Sequence, residues 1–207
     1  MATDHALRHR VLQRGIALEY LTIGWNAVEG LIAVAAGAVA GSVALVGFGI
    51  DSFIETSSGA ILLWRLRSEH RGADRETVER RALKMVGVSF LLLAAYVAFE
   101  SIKSLMEQEQ PEHSVIGIAI ALLSLVIMPW LAHQKRKTAG TLDSHAMRAD
   151  SRQTSLCAYL SAILLVGLAL NALFGWWWAD PVAALAMVPL IIREGAQALR
   201  GETCCQN

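Results

Sequence analysis

Residues 41–67 read GSVALVGFGIDSFIETSSGAILLWRLR, an apolar stretch of membrane-spanning length with two carboxylates, Asp51 and Glu55, near its middle. In a helix, residues four apart lie on one face, about 6 Å apart along the axis, so both acids point the same way. Carrying one ionised side chain to mid-bilayer costs at least ~2.5 to 3.5 kcal/mol. Two acids on a lipid-facing stripe would be hard to sustain, which implies a polar, protein-lined or metal-filled interior. The pair therefore reads as half of a divalent-cation site.

The remainder of the chain supports a membrane setting. Of 207 residues, 55% are hydrophobic and only 17% charged, with a mean hydropathy of +0.44. Such a composition exceeds what one water-soluble core takes up. No charged residue interrupts 30–50, 115–131 or 153–179, and about 20 apolar residues span the hydrocarbon as a helix. Three cysteines, with Cys204 and Cys205 adjacent, make no disulfide framework. The basic start (Arg8, Arg10, Arg14) followed by an apolar run imitates a signal peptide, but Glu19, Asn26 and Glu29 break that run. It is read as a first spanning helix.

Six helices are expected, at about 15–38, 41–64, 81–106, 114–133, 150–174 and 180–199. The fold class is thus an all-α membrane bundle, with residues 1–14 as a cytoplasmic N-terminal segment, 15–200 as the six-helix domain and 201–207 as a short cytoplasmic tail. Short links after the first and fifth helices imply antiparallel neighbours. Seventeen of the 18 Lys and Arg residues, all but Lys103, fall on one set of alternate connections. The opposite connection, EQEQPEH at 107–113, is acidic. By the positive-inside rule both termini face the cytoplasm, with Trp176 to Trp178 in the outer aromatic belt and Trp64 and Trp130 in the inner one.

A partner for the second helix stands at the start of the fifth, RADSRQTSLCAYLS at 148–161. Gln153 and Cys157 share a face, and Asp150 lies about one turn earlier. Antiparallel packing would bring Asp51 level with Cys157 and Glu55 level with Gln153. Carboxylate, thiolate and amide oxygen are all possible ligands, and Zn²⁺ takes four at ~2.0 to 2.3 Å. Together with the WWWADPVAAL entry to the sixth helix, these segments resemble the transmembrane domain of the cation diffusion facilitators.

The resemblance implies a six-helix metal exporter, usually a homodimer, that exchanges Zn²⁺ or a related ion for protons. It is not an enzyme and holds no permanent cofactor, and the divalent metal is the substrate. A bacterial inner-membrane location and no nucleic-acid partner go with that reading. The family's site is D-x-x-x-D or H-x-x-x-D on the second helix and H-x-x-x-D on the fifth. Asp51 matches, Glu55 is conservative, and Gln153 and Cys157 depart. The family's usual C-terminal cytoplasmic domain is not expected here. A thiol in the set tilts preference toward softer ions, Zn²⁺, Cd²⁺ or Hg²⁺. The expected metal ligands are Asp51, Glu55, Cys157, Gln153 and Asp150. A non-transporting metal-sensing or partner-binding subunit is the alternative. An intramembrane metalloenzyme is disfavoured, because no H-E-x-x-H or Ser/His pair lies at membrane depth.

Other polar groups carry two readings each. Asn26 and Glu29 share a face and either line the ion path or bond neighbouring helices, as does Glu19. Glu100 and Lys103 are spaced for a local pair. Asp180 before Pro181 suits a helix start or an outer exit site. His70, His133, His145, Asp74 and Asp143, like Cys204 and Cys205, either gather metal at the inner surface or are simply solvated.

Overall fold

The computed structural model describes residues 2–67, 74–142 and 145–200. All six expected helices are present: α1 Ala2–Ala40, α2 Val43–Arg67, α3 Asp74–Glu107, α4 Val115–Leu142, α5 His145–Phe174 and α6 Ala179–Arg200. Among the described residues there is no strand. Several helices outrun the apolar stretches that announced them. α1 starts at Ala2 and α4 runs on to Leu142, because Ala, Leu, Gln, Lys and Arg continue a helix as readily in water as in lipid. Residues 2–14 are therefore helical and continuous with the first expected span. His70, Asp143, Cys204 and Cys205 lie outside the described residues, as do the side chains of Asp74 and His145.

Burial runs opposite to that of a soluble bundle. Large apolar side chains such as Leu31, Val39, Leu92, Phe99 and Val126 are exposed around the outside. Glu19, Asn26, Glu29, Asp51, Glu55, Lys135, Asp150 and Asp180 are buried inside. An exterior this apolar, with these charged groups enclosed among core residues such as Leu45, Phe48 and Leu164, suits a surrounding solvent that is itself apolar. Among the described residues, five of the helices are long and apolar enough to cross a membrane. The exception is α2, whose polar run from Asp51 to Ser58 lowers its apolarity, yet it is the most enclosed, packed against α1, α3, α5 and α6.

The largest interfaces pair α1 with α2, α4 with α5, and α3 with α6. The first is a tight hairpin. Gly41 turns the chain with φ +67°, a left-handed conformation that favours glycine, and Ser42 then caps α2 by accepting from the amide of Leu45 at 3.1 Å. Between α3 and α6 the backbones meet at Gly87 and Gly195, where a Cβ on Gly87 would lie 2.9 Å from the Gly195 carbonyl oxygen. Only hydrogen fits there.

Asp180 does serve as a cap, though not of its own helix. Its carboxylate accepts from the Ser42 hydroxyl and, at 3.3 Å, from the Ala44 amide, so it satisfies the N-terminus of α2. Nearby, Asn171 Nδ2 donates to the Pro111 carbonyl at 2.9 Å and the Glu112 amide to the Ala40 carbonyl at 2.7 Å. These bonds tie four helices together at the end where α1 stops and α6 starts. Lys103 lies 4.0 Å from Glu100, the expected local pair, and within 3.9 Å of Glu107 and Glu109.

Candidate metal centre

α2 and α5 run antiparallel through the bundle, and their facing residues meet in a cavity of about 10 Å³. That is room for roughly one water-sized sphere. Asp51 and Glu55 line it from α2, Gln153 and Cys157 from α5, and Glu194 from α6, with Phe90, Leu160 and Ile191 among its apolar walls. The i, i+4 spacing thus puts both expected pairs on one interior surface. Asp51 and Glu55 are 5% and 3% exposed, and neither oxygen of Glu55 is satisfied by a donor in good geometry. A buried acceptor left open is costly unless something occupies it.

The register differs from expectation by about one turn. Ser58 donates to the Gln153 side-chain oxygen at 3.0 Å, so Gln153 lies level with Ser58 rather than with Glu55. Cys157, one turn further along α5, then falls beside Glu55, whose neighbours also include Thr154. The sequence pattern tells which residues share a face, but not how far one helix slides along the other, and here the Ser58–Gln153 hydrogen bond marks that slide.

Asp150 is not part of the cavity. Its carboxylate binds the ammonium of Lys135, which also lies 3.2 Å from Glu19 Oε2 and 3.5 Å from the Thr154 hydroxyl. Lys135 is fully buried, so it is not one of the loop charges that its place after the apolar part of α4 suggested. A buried cation must be paired; α1 supplies Glu19, and α5 supplies Asp150 five residues past its first residue, too deep for a helix cap.

Two contributors escaped the sequence reading. Glu194 sits beside Arg193 near the end of α6 and was not among the expected ligands. The available signal was its spacing from Met187 and Ile191, both buried and on the same stripe of α6. For Lys135 the nearest signal was the pair of acids, Glu19 and Asp150, both at the same end of the bundle. Among the described residues, no group of three or more His, Cys, Asp or Glu side chains stands close enough to hold a metal ion as arranged.

A bundle of apolar helices with acids of α2 and α6 lining one small interior cavity is that of an integral membrane protein. Residues 20–201 match the cation efflux transmembrane domain, and the chain belongs to that family. An uncharacterized transporter of Synechocystis sp. is 25% identical over 169 residues, which is 79% of this chain and 54% of the relative. A cadmium, cobalt and zinc/H(+)-K(+) antiporter of Bacillus velezensis is 27% identical over 135 residues, 62% of this chain and 41% of that one. Its Bacillus subtilis counterpart is 26% identical over 116 residues, 53% and 35%. The chain spans about half the length of these relatives or less.

Proposed function

We propose that this protein exports a divalent metal cation across a membrane in exchange for protons, with the ion held between α2 and α5. The supporting observation is the shared cavity of Asp51, Glu55, Gln153, Cys157 and Glu194. In this reading Asp51 and Glu55 are the principal ligands, Cys157 the selectivity ligand, Gln153 a neutral oxygen, and Glu194 takes the place expected for Asp150. Metal ligation needs deprotonated carboxylates and thiol, so loading releases protons and protonation from the far side discharges the ion. Zn²⁺ and the softer Cd²⁺ and Hg²⁺ fit a set containing a thiol. Both termini face the cytoplasm of a bacterial inner membrane, and the working unit is a homodimer.

Transport of Zn²⁺ and Cd²⁺ into vesicles tests the reading. Asp51→Ala abolishes metal-dependent flux; unchanged flux removes the claim. A metal-sensing subunit is the second reading, favoured by the absence of any three converging ligands among the described residues. In liposomes a sensor binds the ion and moves none.

A further inference from the structure

A second group of buried polar side chains, outside the lining of that cavity, lies between α1, α2 and α4. Glu29 is fully buried there, and its Oε2 accepts from the Ser52 hydroxyl at 3.2 Å. Around it stand the indole of Trp25 and the hydroxyl of Ser124, while Asn26 shares its face of α1. Most of these polar atoms are unsatisfied: Glu29 Oε1, Trp25 Nε1, both amide atoms of Asn26, and Ser124 Oγ. So many open groups around one buried carboxyl call for an explanation.

Charge balance supplies one. The fully buried ammonium of Lys135 is committed to Glu19 and Asp150, and a divalent ion in the cavity would balance Asp51 and Glu55. Neither compensates Glu29, and an unpaired carboxylate at this depth is not sustained. The open partners suit both of its forms. As an anion it can accept from Trp25 N–H and Ser124 O–H; as an acid its O–H can donate to Asn26 Oδ1 or Ser124 Oγ. The titratable groups facing it are Asp51 and Glu55 on α2 and, across the interior, Cys157 on α5, whereas α4 faces it with Ser124.

We propose that Glu29 is the binding site of one transported proton, separate from the metal cavity, so that a proton is carried on α1 while the ion is held between α2 and α5. The proposal rests on the metal–proton exchange above. It assigns the neutral, proton-loaded form to a group that is not a metal ligand.

The test uses the full chain in liposomes, with Cd²⁺ flux and internal pH recorded together, and Cd²⁺ binding measured in detergent. Glu29→Gln, which imitates the loaded form permanently, keeps Cd²⁺ binding and moves one proton fewer per ion; Glu29→Asp restores the wild-type ratio. A Glu29→Gln protein that exchanges protons at the wild-type ratio overturns the proposal, as does one that loses Cd²⁺ binding while remaining folded. If the wild-type protein moves no metal, the exporter reading fails, and infrared difference spectra decide the Glu29 site alone. A buried carboxyl stretch that grows on acidification and is missing in Glu29→Gln supports it. Its absence from the wild-type spectrum rejects it. Should Glu29→Gln not fold, Ser124→Ala is the substitute, expected to shift that stretch by removing a hydrogen-bond partner. No shift counts against the site.

Discussion

Cys157 separates this cavity from the all-oxygen and imidazole sets of the resembled family, and its position beside Glu55 gives it a measurable role. Replacing the thiol by a carboxylate makes the set harder. Cys157→Asp is expected to move preference from Cd²⁺ toward Zn²⁺ in competitive flux assays, and unchanged selectivity would make the thiol a packing group. Lys135 is the residue where charge and fold are most tightly bound. Lys135→Met strands two buried acids, and removing one member of a buried ionic group costs about 3 to 5 kcal/mol. A clear fall in thermal stability in detergent is expected, largely reversed when Glu19→Gln and Asp150→Asn are added, because the acids then no longer need a cation. Both positions could be seen in the sequence, but only Cys157 could be placed on a face there. Its i, i+4 partner lies on the same helix, whereas Lys135 finds its partners 116 and 15 residues away.

Among the elements, α2 is the one that packs against the most neighbours. Its N-terminus is closed by Ser42 and by Asp180 from α6, its middle turns carboxylates toward α5 on one side and Ser52 toward Glu29 on the other, and Ser58 fixes its register against α5. Ser42→Ala removes both the local cap and the hydroxyl that Asp180 accepts from. A loss of about 0.5 to 2 kcal/mol is expected from the cap alone, seen as a lower melting temperature with metal selectivity unchanged. Helix identity was readable because apolar stretches of spanning length have few other solutions in lipid. Helix ends were not, because the residues that leave the bilayer at Arg10, Lys84 and Lys137 are themselves good helix formers.

For the whole molecule, the charge pattern carries an expected sidedness, but it did not reveal that one of the counted cations, Lys135, is buried within the bundle. Removing Lys135 from the count leaves the asymmetry intact, since Arg136, Lys137 and Arg148 remain at the same end. The expected sidedness is checked by a membrane-impermeant thiol reagent in a chain cleared of its native cysteines. Glu109→Cys should be labelled from outside intact cells and Arg200→Cys only after lysis. Labelling in the reverse order would invert the export direction.

The turn at Gly41 and the polar middle of α2 together bear on how the protein is made. A segment carrying Asp51, Glu55 and four hydroxyl residues between 52 and 58 is a poor candidate to leave the translocation machinery on its own. With only Gly41 and Ser42 separating it from α1, it can partition into the bilayer as one arm of a hairpin, packed along the helix that precedes it. Biogenesis and transport would then share one requirement. The carboxylates proposed to hold the ion would also oblige the first two helices to be inserted as a unit, and lengthening that two-residue link should leave the second helix stranded outside the membrane.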